Sequence, residues 1–205
     1  MPKIDLKYIL IDTALTQHKI IIKMVIYMTQ SQILQTACEY GFLAKIIPTQ
    51  DIEVNYDFRR YCEENLCGKY GMNYSCPPDC GTPEQMYKRL TSKSNALVLQ
   101  LVCDIDGYDN KQNIQNKKNK LNTMVAELSR ELKLNGLEVI PLGYGGCTFC
   151  SPCMRAQGKP CAFPQDKISC ISAYCIDAAK LAQKGGFEFE WNEKRLYLFG
   201  MILFD

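Results

Sequence analysis

Eight of the chain's 12 cysteines fall into two groups of four, and clustered thiols are typical ligands of zinc ions and iron–sulfur clusters. The group nearer the C-terminus, here called the second set, is spaced C-x2-C-x2-C-x7-C and consists of Cys147, Cys150, Cys153 and Cys161. A triple of thiols with two residues between neighbours is the run that wraps a [4Fe–4S] cubane, because each thiolate can bind a different iron. We expect Cys161 to supply the fourth thiolate.

The group nearer the N-terminus, called the first set, is spaced C-x4-C-x8-C-x3-C and consists of Cys62, Cys67, Cys76 and Cys80. This spacing suits either a cubane or a single zinc ion, so it indicates a tetrathiolate site without naming the metal. Together the two sets predict two [4Fe–4S] clusters, and structural zinc is the alternative at either site.

The single histidine and the other four cysteines limit which kinds of metal or catalytic site the chain can form. His18 lies far in sequence from both sets, which argues against Cys2His2 zinc sites, Rieske centres and Cys–His nucleophile pairs. Cys38 and Cys103 lie on apolar faces of predicted elements, so we expect them in the core. Cys170 and Cys175 fall on a predicted helix after the second set, and either one is an alternative fourth ligand.

Composition excludes several classes of protein. The chain has 24 basic and 22 acidic residues and a net charge of +2, which gives no electrostatic basis for non-specific nucleic-acid binding. Its apolar stretches are too short for a membrane span, and its N-terminal residues lack the pattern of a secretory leader. We therefore expect a cytoplasmic protein with reduced thiols, in which clustered cysteines indicate metal or redox chemistry rather than disulfide bonds.

The order of the predicted helices and strands that position the two sets indicates an α+β domain. In chain order they are a helix capped by Thr29 or Ser31, short strands or extended segments at 42–48 and 51–56, a helix after Thr82, a strand at 96–102, a helix at 113–135, a strand at 137–143, a helix at 169–184 and a C-terminal β-hairpin at 187–204. We expect a small sheet with helices packed on one side, and both cysteine sets in loops. Residues 1–28 are interpreted as an N-terminal extension, and residues 29–205 as one cysteine-rich metal-binding domain.

Three stretches of the sequence resemble a family of cysteine-rich "predicted metal-binding proteins" of unknown function, found largely in anaerobic bacteria and archaea. They are "RRYCEENLCGKYGMNYSCPPDCGTPEQM", "LGYGGCTFCSPC…GKPCAFP" and "YLFGMILF". The resemblance covers residues 29–205 and implies that the eight cysteines of the two sets are the motif positions. Cys170 and Cys175 fall outside the family pattern, which weakens their case as ligands.

The leading functional hypothesis is an iron–sulfur protein that passes electrons to a redox partner protein, because two all-thiolate sites suit a one-electron relay. A zinc-stabilised binding module and an iron–sulfur enzyme acting on a small molecule are the alternatives. The sequence contains no dinucleotide-binding glycine motif, Walker A motif or nucleophile elbow, so the enzyme alternative has no catalytic residues to name. We expect neither nucleic-acid nor membrane partners.

Overall fold

A five-stranded mixed sheet forms the centre of the structure, which is a computed structural model that describes residues 28–205. The extension predicted for residues 1–28 therefore lies outside the described residues, apart from its last residue. The strands are β1 (Leu43–Pro48), β2 (Asn95–Asp104), β3 (Ile140–Gly143), β4 (Ser169–Cys170) and β5 (Arg195–Phe204). Their order is β1-β2-β5-β3-β4, and every neighbouring pair is antiparallel except β3–β4.

The described residues also form five α-helices, which confirms the α+β class. They are α1 (Gln30–Glu39), α2 (Arg59–Glu63), α3 (Pro83–Leu90), α4 (Lys111–Leu134) and α5 (Ala178–Gly185). Helices α1 and α4 contribute to the apolar core on one face, whereas α3 and α5 contribute to the core on the opposite face. The prediction that helices pack on one side of the sheet is therefore wrong. None of the helices in the described part combines the length and apolar character needed to cross a membrane.

The two long strands are apolar on both faces because both faces are covered. Leu97 and Leu99 of β2 belong to the core with α1 and α4, whereas Ala96 and Val98 belong to the core with α3 and α5. Strand β5 is buried at every position after Arg195. Buried on both faces, such strands read as continuous hydrophobic runs rather than alternating ones.

The predicted C-terminal hairpin is wrong. Residues 187–191 do not form a strand, and β5 pairs with β2 along one edge and with β3 along the other. Because those strands occupy both edges, none is left for a hairpin partner. Phe187 and Phe189 instead pack edge-on against Phe199 of β5.

The helix predicted for residues 169–184 begins later than expected. Cys170 ends β4, and a short 3-10 helix follows at Ile171–Tyr174. Cys175 then adopts a left-handed backbone conformation with a φ of 58°, and Asp177 caps α5 by accepting hydrogen bonds from two backbone amides. Neither Cys170 nor Cys175 therefore lies on a helix. Residues 51–56, predicted as a short strand or an extended segment, do not form a strand, and only Val54 pairs there through an isolated bridge.

Capping residues place two of the helices as predicted. Thr29 caps α1 and Thr82 caps α3, and in both cases a glutamine three residues later completes a capping box. Pro83 occupies the first position of α3, where a missing amide hydrogen costs nothing. Helix α3 thereby begins three residues after Cys80, so its N-terminus is fixed beside the end of the first set.

Candidate metal centre

The first set lies in residues 59–81, here called the first loop, in the connection between β1 and α3. Cys62 lies in α2, whereas Cys67, Cys76 and Cys80 lie in turns. Cys76 and Cys80 are buried, Cys62 is half-buried and Cys67 is exposed.

These thiols are close enough to influence one another. Burial raises the pKa of the Cys76 thiol, and neighbouring thiols raise it further. Those neighbours are Cys170, Cys67, Cys80 and Cys62. The structure therefore groups the first set in one region and adds Cys170, which is buried beside it.

The second set lies in residues 144–168, here called the second loop, between β3 and β4. Its four thiols, Cys147, Cys150, Cys153 and Cys161, line a common cavity of about 10 Å³. A short 3-10 helix at Met154–Gln157 follows Cys153, and Gly158 ends it in a left-handed conformation with a φ of 65°. This turn brings the chain back so that Cys161 faces the same cavity as the triple.

Three polar contacts join the first loop to the second. The Asn73 side-chain amide donates to the backbone carbonyl of Cys147 over 2.9 Å. The Tyr74 hydroxyl donates to the backbone carbonyl of Lys159 over 2.9 Å. Arg155 donates through Nε to both carboxylate oxygens of Asp79, each at 2.9 Å.

Gly146 brings the second loop against a thiol of the first set. A Cβ atom at this position would lie 3.0 Å from the Cys76 sulfur and 2.8 Å from the Asn73 amide nitrogen. Gly146 immediately precedes Cys147, so the residue next to the second set packs against a thiol of the first set. The two sets are therefore neighbours rather than separate sites.

The first loop contains two buried polar donors without a partner among the described residues. One is Nε of Arg59, whose residue is only 8% exposed. The second donor is the hydroxyl of Ser75, which is fully buried and lines the cavity of the second set. Buried polar groups are ordinarily hydrogen-bonded, so an unpartnered donor beside four thiols fits a site that holds an acceptor. Metal-bound thiolates and cluster sulfides are such acceptors.

The side chains as they stand do not form a finished metal site. Within residues 28–205, no group of three or more His, Cys, Asp or Glu side chains forms a set that could hold a metal ion. The cavity of the second set, at about 10 Å³, is also only large enough for about one water molecule. A cubane there would require the cysteine side chains to turn and the second loop to widen.

Sequence reasoning was wrong about one of the remaining cysteines and missed the donors. Cys38 is exposed rather than buried, whereas Cys103 is buried as predicted. Neither Arg59 nor Ser75 is marked by the sequence as a donor to a metal site. Only their burial identifies them, and burial in an irregular loop leaves no periodic signal in a sequence.

Comparison with known proteins decides the family. Residues 45–204 match a family described as "Predicted metal-binding protein (DUF2284)". The chain belongs to this family. The match spans both cysteine sets and confirms the resemblance inferred from the motifs. No curated protein and no solved structure is significantly similar to the chain. Family membership thus supports metal binding and leaves the metal to be inferred from chemistry.

Proposed function

We propose that this protein binds two [4Fe–4S] clusters, one at each cysteine set, and transfers electrons between them and a redox partner protein. The observation that supports this most strongly is the contact of Gly146, which immediately precedes Cys147, with the Cys76 thiol of the first set. A relay needs its redox centres close together, whereas two zinc ions that only stabilise loops have no such need. The spacing of the second set also favours a cubane.

Under this proposal the ligands are the eight predicted cysteines. They are Cys62, Cys67, Cys76 and Cys80 for one cluster, and Cys147, Cys150, Cys153 and Cys161 for the other. A bound cluster would supply one-electron chemistry. The chain's own residues position and tune it: Asn73 fixes the backbone at Cys147, and Ser75 has a hydroxyl hydrogen free to donate to a sulfur of the second set. Hydrogen bonds to cluster sulfurs raise the reduction potential.

A zinc-stabilised module is the second candidate, because one observation favours it. The cavity of about 10 Å³ at the second set suits a single ion better than a cubane of eight atoms. Under this reading the metal closes the second loop, which has little apolar core of its own, and the protein has no redox activity.

Electron paramagnetic resonance distinguishes the two candidates. The protein is purified and reduced without oxygen, and its spectrum is recorded at low temperature. We expect signals of reduced [4Fe–4S] clusters, broadened by magnetic interaction because the two centres are neighbours. A colourless protein without such signals, containing zinc in stoichiometric amount, would support the zinc candidate and contradict the relay.

A further inference from the structure

Arg59 is a buried cation without an anionic partner. Its residue is 8% exposed, and no carboxylate among the described residues lies within 4.0 Å of it. The Glu84 carboxylate interacts with Arg59 at longer range, but it is exposed to solvent in the first turn of α3. Arginine is rarely buried unless it is paired, because removing its charge from water is costly.

The polar groups nearest the guanidinium group are sulfur atoms and one backbone carbonyl. One terminal nitrogen donates to the backbone carbonyl of Ala173 over 3.0 Å, and the other lies 3.9 Å from the Cys80 sulfur. Cys175 also neighbours the group, and Nε has no partner. Neutral thiols are weak acceptors and cannot balance a positive charge.

A metal held by four thiolates would give the Arg59 cation an anionic partner. Four thiolates carry four negative charges, which exceed the charge of a zinc ion or of a cubane core, so either centre is an anion. Hydrogen bonds from a guanidinium group to an anion are stronger than those to neutral acceptors. Arg59 thus has the charge, the burial and the free donor that such an anion requires at the first set.

We propose that Arg59 is the built-in counter-ion of an anionic metal–thiolate centre at the first set. The proposal rests on the proposed function only in requiring a metal at the first set, and it holds for zinc as for a cluster. The contribution of Arg59 to stability should therefore differ in sign between the two forms of the protein. Arg59 stabilises the metal-loaded protein, whereas in the metal-free protein it is an uncompensated buried charge that destabilises the fold. A residue that merely packs the loop would stabilise both forms alike.

The test measures zinc affinity in the full-length, reduced, metal-free chain by competition with a chromogenic chelator. A background of Cys150→Ala and Cys153→Ala disables the second set, so that zinc reports on the first. Arg59→Gln and Arg59→Lys are compared with Arg60→Gln, the matched control. Arg60 is exposed and lies over the Tyr61 ring, so its loss removes the same charge one residue away.

We expect Arg59→Gln to weaken zinc binding about ten-fold or more, because a charge-assisted hydrogen bond is lost. Arg59→Lys keeps the charge and should give an intermediate affinity, whereas Arg60→Gln should change it about two-fold or less. In denaturant unfolding without metal, Arg59→Gln should be no less stable than the parent.

Either of two results would overturn the proposal. One is zinc affinity in Arg59→Gln equal to that of the parent, or no zinc binding at the first set in the parent. The other is a loss of stability in metal-free Arg59→Gln, including failure to fold, as large as the loss in the loaded form. This comparison uses zinc alone and involves neither iron nor sulfide. A negative result for Arg59 would therefore not affect the proposal of two iron–sulfur clusters, which electron paramagnetic resonance tests separately.

Discussion

The cysteines differ in what surrounds them, and this difference separates ligand candidates from ordinary thiols. Each of the eight predicted ligands lies within one of two loops that contact one another, whereas Cys38 is exposed on α1 and Cys103 lies in the sheet core. Type and spacing alone identified the two sets. The unpartnered donors beside them, Arg59 and Ser75, are properties of the folded chain that spacing does not reveal.

Replacing one thiol of the second set should remove one metal centre. Cys150→Ala is expected to abolish or destabilise the centre at the second set and to spare the first, because the loops contribute separate ligand sets. Metal content per chain, measured after oxygen-free purification, should fall by about half. Cys38→Ala, which removes an exposed thiol outside both sets, is the control and should leave metal content unchanged. An unchanged content in Cys150→Ala would show that Cys150 is not a ligand.

Among secondary-structure elements, the capping boxes were predictable because they depend on four consecutive residues. Thr29, one of two caps that the sequence offers for α1, and Thr82 both cap their helices, and α4 forms where its long apolar stripe predicts it. The helix expected at 169–184 failed because Cys175 adopts a positive φ, which a sequence signals reliably only when glycine occupies the position.

The two capping boxes offer a matched pair of variants. Thr82→Ala and Thr29→Ala should each cost about 1 kcal/mol in free energy of unfolding, because each removes the side-chain acceptor of one helix N-terminus. Only Thr82→Ala should also accelerate metal loss from the first set, since α3 begins beside Cys80. Denaturant unfolding and chelator-induced metal release measure the two effects. Equal metal release from both variants would contradict a role for α3 in positioning Cys80.

The contact between the loops gives a second prediction at this scale. Gly146→Ala places a methyl group 3.0 Å from the Cys76 sulfur and 2.8 Å from the Asn73 amide nitrogen, so the side chains of Asn73 and Cys76 must shift. We expect weaker magnetic interaction between two reduced centres. Asn73→Ala removes the hydrogen bond to Cys147 without adding bulk and should have a smaller effect in the same direction. An unchanged spectrum in Gly146→Ala would mean that the centres do not communicate across this contact.

For the whole molecule, the sequence predicted the α+β class but not the way its strands pair. Alternating "FEFEW" before a long apolar strand is typical of a hairpin, yet β5 lies between β2 and β3. Local pattern describes a strand's faces and carries no information on its neighbours. The same limit applies to the site, where the proximity of the two sets arises from contacts such as Asn73 to Cys147, which are 74 residues apart.

Metal removal should disorder the loops and leave the sheet folded. Leu97, Leu198 and Ile202 are fully buried in a core that contains none of the eight predicted ligands, so this face of β2 and β5 stays packed without metal, whereas the core on the opposite face includes Cys80. After chelation we expect amide hydrogen exchange to become faster in residues 59–81 and 144–168 and to stay slow in β2 and β5. Fast exchange throughout the sheet would show that metal and fold are a single cooperative unit.

The most direct test of the account is quantitative analysis of iron, acid-labile sulfide and zinc in protein purified without oxygen. Two cubanes predict about eight iron atoms and about eight sulfides per chain, with little zinc. Stoichiometric zinc without sulfide, or protein with no metal at either set, would contradict the assignment of two iron–sulfur clusters.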